Sequence, residues 1–269
     1  MKSTLRSLAK EVLPPAVARL YSASRRKFGF TGDYPSWDAA MKASSGYAAE
    51  SILQKVLVSA RKVKQGKAAF ERDSVAFERP DHNWPLLTHL LWVASCNEAR
   101  LHVADFGGSL GSTYFQYQSY LAGLKELTWT VIEQAAFVNA GRNEFLDDRL
   151  SFEERFEVAV AKRPPNVLLL SSVLPYIEDP YALLAGLLAF RVPYIIIDRT
   201  PFIDLGRDRL TVQKVSSSIY EASYPAWFLH RSKFMETMEK DYRLFAEFDG
   251  FDDANIDCAY RGFVYERKH

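Results

Sequence analysis

Asp105, Gly107, Gly108 and Gly111 fall within seven residues of one segment, Leu101–Gly111, which reads LHVADFGGSLG. Glycine admits positive φ and lets a ligand approach the backbone where a Cβ would block it. A helix N-terminus after such a turn adds unpaired N–H groups and the positive end of a dipole. Together these are the parts of a cradle for a nucleotide-like cofactor; the competing reading is a purely structural glycine turn. Glu133 closes the apolar run LTWTVIE, where a carboxylate can accept both hydroxyls of a ribose. A dinucleotide-binding turn would read G-x-G-x-x-G, with its acid roughly 20 residues on. Here an acid, Asp105, already precedes the first glycine.

These residues need elements to position them, and the hydropathy pattern supplies those. The run into Asp105 predicts a buried strand, and Tyr114, Tyr117, Leu121 and Leu124 recur at helical spacing after the turn. Leu127–Glu133 is the next strand. Pro165–Leu174 (PNVLLLSSVL) reads as a buried strand running into a loop, and Pro180 stands where a helix can begin. Tyr194–Asp198 (YIIID) is another buried strand, which Arg199, Thr200 and Pro201 are expected to break. Continuous apolar runs alternating with helices predict a parallel sheet covered on both faces. Tyr242–Phe248 and Ala259–Glu266 flank the loop Asp249–Cys258, short enough for an antiparallel hairpin.

The acid–glycines–acid order resembles the first two motifs of class I S-adenosylmethionine (AdoMet) methyltransferases. Five blocks carry the likeness further: DFGGSLGSTYFQ, VIEQ with AGRNEF, LLLSSVLPYIEDPY, IIIDRTPF, and DRLTVQ with IYEASYPAW. As a set they look like a bacterial group of methyltransferases encoded among polysaccharide-biosynthesis genes, over Ser74 to Phe248. The resemblance implies a doubly wound Rossmann-like α/β sheet of seven strands, in the order 3-2-1-4-5-7-6, with strand 7 antiparallel. It implies AdoMet as cofactor, with Asp105 and the glycines against the methionine part and Glu133 against the ribose. One departure stands out. The family motif is E/D-x-G-x-G-x-G, whereas Ser109 replaces the central glycine here and Gly108 is added.

Methyl transfer from a sulfonium is an in-line displacement on an already activated donor, so alignment and exclusion of water supply much of the rate. A sugar hydroxyl acceptor would still gain from a base within hydrogen-bond reach. Ligands of doubly wound folds lie beyond the carboxyl ends of the strands, which places Ser171, Ser172, Asp198 and Arg199 at the working edge. The serines are assigned to the cofactor and Arg199 to the acceptor. His82, in Asp81-His-Asn-Trp-Pro, and Asp198 are the candidate bases; a polar turn residue and an Asp198–Arg199 ion pair are their plain alternatives. Arg209–Tyr224 is expected to be an aromatic lid over the acceptor, with Gln213 as hydrogen-bonding group and Tyr220 and Tyr224 as walls. His89, His102 and His230 read as structural. No metal is expected, because Asp147-Asp148 and Asp252-Asp253 lack a third ligand at suitable spacing.

The reaction expected from these features is O-methylation of a small-molecule or glycan precursor; the alternative is a non-catalytic AdoMet-binding scaffold in polysaccharide assembly. A net charge of +1 gives no electrostatic case for nucleic acid. Two cysteines, Cys96 and Cys258, are too few for a disulfide scaffold and favour a reducing, cytoplasmic setting. No uncharged apolar run reaches the roughly 18 residues of a membrane span. Residues 1–73 read as a basic helical extension and cap, and 74–269 as the methyltransferase domain. Met1–Lys27 holds seven Lys or Arg against one acid, which suits peripheral contact with an anionic inner membrane. The competing reading packs this segment on the domain or on a second copy in a homodimer. Ser51–Val63 is expected to be a helix that roofs the acceptor pocket.

Overall fold

A computed structural model describes residues 28–45, 49–72, 74–79, 81–216 and 222–268. The basic segment Met1–Lys27 lies outside the described residues. The described chain enters through β1 (Gly29–Thr31), α1 (Trp37–Lys42) and α2 (Ala49–Lys64), then the hairpin β2 (Phe70–Arg72) and β3 (Val75–Phe77). Arg72 pairs with Val75 across position 73, so the expected boundary between extension and domain falls inside a hairpin. α2 packs Ile52, Val56 and Ala60 into the same core as Leu90, Tyr117 and Phe137. This amphipathic helix buries its apolar face against the sheet's own helices.

From α3 (Trp84–Cys96) onward strands and helices alternate: β4 (Arg100–Phe106), α4 (Ser112–Leu121), β5 (Glu126–Ile132), α5 (Ala135–Glu144), β6 (Leu150–Glu153), α6 (Phe156–Lys162) and β7 (Val167–Ser171). Then follow α7 (Pro180–Leu188), β8 (Tyr194–Ile203), β9 (Arg209–Lys214), β10 (Ser223–His230), α8 (Arg231–Met238), β11 (Tyr242–Asp249) and β12 (Ala259–Arg267). Pairing runs β6-β5-β4-β7-β8-β12-β11 across the middle of the sheet. β4 to β8 are mutually parallel, and β12 is antiparallel to both of its neighbours. The doubly wound α/β architecture expected from the sequence is therefore present. Val167, Leu168, Leu169 and Leu170 are all buried, as a strand covered on both faces requires. Full burial of each such side chain contributes about 1.5–3 kcal/mol.

Two features depart from the expectation. Among the described residues the sheet has ten strands, not seven, because β1, β9 and β10 form an antiparallel group that joins it at β8. β8 also does not stop at Asp198. It continues through Arg199, Thr200 and Pro201 to Ile203, held by β12 with Tyr260 opposite Pro201. β7 ends with Ser171 opposite Asp198, and β10 pairs with β8 only from Phe202. One edge is thus unpaired between these points, and an unpaired edge tolerates a residue without an N–H. Arg199 bends the strand there with φ of 51°. Among the described residues, no helix is long and apolar enough to cross a membrane.

Candidate functional site

The glycine turn caps the carboxyl end of β4. Gly107 and Gly111 have φ of 75° and 86°. A Cβ on Gly107 would lie 2.6 Å from Val173 Cγ2, so the turn is wedged against the loop after β7. Ser109, at the family motif's central glycine, has φ of 56°. The backbone keeps the left-handed conformation there at a cost of about 1–2 kcal/mol. Gly108 has a different reason to be glycine: its Cβ would come within 2.4 Å of Asp105 Oδ2. The N-terminus of α4 begins at Gly111 without a side-chain cap, and beside it the buried Glu71 carboxylate accepts the hydroxyl of Ser112.

Asp105 is 1% exposed and accepts a hydrogen bond from Trp129 Nε1 at 2.9 Å. Burial raises its pKa to about 7; the Trp129 bond opposes this, and the Glu133 charge adds to it. Glu133 stands one residue beyond β5, and its Oε2 accepts Gln134 N–H at 2.8 Å. Burial raises the pKa of Glu133 as well, while the backbone N–H groups of Gln134 and Ser109 lower it. The second acid therefore leans on the glycine turn itself.

A second group forms where β7 ends beside Asp198 in the middle of β8. Asp198 is 1% exposed, and both of its carboxylate oxygens are engaged. Asn83 Nδ2 donates to Oδ1 at 2.9 Å, and Ser171 Oγ donates to Oδ2 at 3.0 Å. Burial raises the Asp198 pKa; the Arg199 charge and these two bonds lower it, and Asp252 raises it. Ser172, with φ of 55°, donates its N–H to Asp198 O at 3.0 Å. Strained backbone at both Ser172 and Arg199 marks the working edge of the sheet. Arg199 does not ion-pair with Asp198. Its guanidinium takes Asp252 in the β11–β12 loop in a two-pronged contact, Nε to Oδ2 at 2.7 Å.

Asn83 was not singled out by the sequence reading. Its position before Trp84-Pro85 and an apolar run is a readable N-cap signal, and its Oδ1 does accept Leu86 N–H at 3.1 Å. The bond to Asp198 spans 115 residues and has no local signature. His82, next to it, is ringed by Trp84, Tyr117 and Tyr120 at centroid distances of 4.9, 6.0 and 5.2 Å. Its Nε2 lies 3.3 Å from Tyr120 Oη. Its Nδ1 is buried with no hydrogen-bond partner among the described residues.

Of the expected lid, Arg209–Lys214 is a strand, Ser223 and Tyr224 begin the next one, and residues 217–221 lie outside the described residues. Leu210, Thr211 and Val212 are buried, and β9 pairs with β1 on one edge and β10 on the other. The β-branched and apolar residues of LTV outweigh the polar ones that suggested a loop. Gln213 and Tyr224 face each other across the β9–β10 pair. Tyr176, which the sequence reading missed, donates its hydroxyl to Gln213 Oε1 at 2.9 Å and sets its ring edge-on to Tyr224 at 5.5 Å. Tyr220 lies outside the described residues. Of the other histidines, His89 Nδ1 is bonded to Pro85 O, His102 lies within β4 with Nδ1 against Thr128 Oγ1, and His230 ends β10. Asp147 is occupied by Tyr114 and by the N–H groups of Arg149 and Leu150. Among the described residues, no three His, Cys, Asp or Glu side chains gather as a metal site. Cys96 and Cys258 are both free thiols.

No family model and no curated protein matches this sequence. Solved structures are similar in fold. A magnesium protoporphyrin IX methyltransferase from Synechocystis, with bound S-adenosylhomocysteine, is 13% identical with a TM-score of 0.48, over 80% of this chain and 99% of that one. An amino pentose methyltransferase from Micromonospora echinaspora, with bound AdoMet, is 12% identical with a TM-score of 0.47, over 69% and 89%. The N-terminal domain of EvdMO1, solved with S-adenosylhomocysteine and D-fucose present, is 15% identical with a TM-score of 0.47, over 83% and 98%.

Proposed function

We propose that this chain is an AdoMet-dependent methyltransferase that methylates an oxygen of a sugar or glycan precursor. The observation that carries the cofactor assignment is the turn Asp105–Gly111. Three of its residues hold left-handed backbone, its helix start is uncapped, and the Glu133 carboxylate stands beside it. The donor set fits the group. Backbone N–H groups at the start of α4 suit the carboxylate of an amino acid, and Glu133 suits the two hydroxyls of a ribose. When bound, AdoMet supplies a methyl on a positively charged sulfur.

The chain's own residues would then align and deprotonate. The loop Ser171–Val173 borders the turn, through Val173 against Gly107, so it flanks the reacting end of the cofactor. Asp198, 1% exposed and hydrogen-bonded at both oxygens, is suited to hold its neighbours in place. His82, whose Nε2 lies 3.3 Å from Tyr120 Oη, is the candidate to receive a hydroxyl proton. Gln213, Tyr176 and Tyr224 form a polar, aromatic wall, a surface suited to the face and hydroxyls of a sugar ring. The assignment to polysaccharide biosynthesis rests on the five sequence blocks.

The test is transfer of labelled methyl from AdoMet into nucleotide-linked and lipid-linked sugar fractions of a bacterial extract. Label in a sugar methyl ether supports the reading. Label confined to protein or nucleic acid rejects the acceptor class, and cofactor binding without transfer to any fraction favours the scaffold alternative.

A further inference from the structure

We propose that Asn83 is a positioning residue that ties the His82 segment to Asp198, in the middle of β8, and so fixes the segment that carries the candidate base. The inference rests on the function proposed above only for the word base; the tether itself stands on geometry. All four polar groups of Asn83 are engaged. Its N–H donates to Tyr117 Oη at 3.1 Å, and its carbonyl accepts Tyr117 Oη at 3.2 Å and Leu87 N–H at 3.1 Å. Its Oδ1 caps α3 through Leu86 N–H, and its Nδ2 reaches Asp198. One residue thus joins α3, α4 and β8. His82 precedes it directly and cannot shift along the sheet edge while that clamp holds. A capping role alone would need only the Oδ1 bond. The amide nitrogen is what distinguishes asparagine from the equally good caps serine and aspartate, and it is spent on a carboxylate that is 1% exposed.

The distinction is testable in the full chain. Asn83→Asp keeps the cap but sets a carboxylate where a donor faced Asp198, so the two acids must share a proton. The charged and titratable groups around that pair are Tyr117 from α4, Arg199 from β8 and Asp252 from the β11–β12 loop, with Arg72 and Asp81 near Tyr117. Arg199 is held by Asp252, and its charge already acts on Asp198 in the wild type, so it offsets only part of the new charge. The pair's upper folded pKa lies above that of an unfolded aspartate, so the variant's stability falls as pH rises. Its melting temperature should match wild type near pH 4 and drop progressively below it toward pH 8.

Asn83→Ser keeps the cap without the charge; loss of the Nδ2 donor lets the Asp198 pKa rise further, so its drop should grow with pH in the same sense but less steeply than that of Asn83→Asp. The swap Asn83→Asp with Asp198→Asn restores one donor and one acceptor, leaves an oxygen for Ser171, and should recover most of the loss at pH 8. NMR of the His82 ring, assigned with His82→Gln, supplies a readout that capping would not move. Its ring-current-shifted signals should collapse toward free-histidine values in Asn83→Ser and return in the swap. A constant offset of Asn83→Asp from wild type at every pH, or unchanged His82 signals in Asn83→Ser, would overturn the proposal. Failure of the wild type to bind S-adenosylhomocysteine would instead remove the methyltransferase reading and leave the tether standing or falling on these measurements.

Discussion

At the scale of single residues, two acids serve the glycine turn in different ways. Glu133 is the one placed to meet a ligand, since its carboxylate leans on the turn's backbone from the end of β5. Glu133→Ala is expected to weaken S-adenosylhomocysteine binding by about 1.5–3 kcal/mol, the worth of hydrogen bonds to a charged group, with the melting temperature little changed; calorimetry checks both. Asp105 faces inward to Trp129 and occupies the space that a Cβ on Gly108 would need. Its pKa of about 7 in the folded chain compares with about 4 in the unfolded chain. The folded state therefore holds more protons between those values, and its stability falls as pH rises from 4 to 7. Asp105→Asn should flatten that slope, gaining at most about 4 kcal/mol at pH 7 relative to pH 4; urea unfolding at the two pH values measures it. The sequence disclosed both acids and the glycines, because strand, turn and helix are local patterns. It did not disclose that Gly108 makes room for Asp105, a contact read only once the turn closes.

At the scale of elements, the legible parts were the buried parallel strands and the terminal hairpin, whose apolar runs and loop lengths speak for themselves. The β1–β9–β10 group was not legible. β1 is three residues long and pairs with a strand more than 170 positions away, and its backbone is further held by Asn255, which bonds both Phe30 N and Phe30 O. Pro201 suggested a break, and only the partner β12 explains why β8 continues. This group places Gln213 and Tyr224 on paired strands, so contacts made through them should depend on the particular side chains. Gln213→Leu removes the acceptor of the Tyr176 hydroxyl and the wall's amide. It should leave S-adenosylhomocysteine affinity within about twofold while lowering methyl transfer at least tenfold, about 1.4 kcal/mol in the barrier. Equal losses in binding and transfer would place Gln213 on the cofactor side instead.

At the scale of the whole molecule, the sheet brings together three separate stretches of chain: the turn after β4 with Glu133, the end of β7 beside Asp198 with the Asn83 clamp, and the β9–β10 wall. The net charge is only +1, so shape and directed hydrogen bonds are expected to set the site's selectivity. The central claim is that this site is built around AdoMet. It is tested most directly by calorimetric titration of the full chain with S-adenosylhomocysteine, with NAD as the competing nucleotide. Gly107→Val serves as the variant whose branched side chain must collide with Val173, 2.6 Å from its Cβ, and distort the turn. The account predicts saturable one-to-one binding of S-adenosylhomocysteine by the wild type, severe loss in Gly107→Val, and no heat from NAD. Binding of NAD without response to S-adenosylhomocysteine would contradict it.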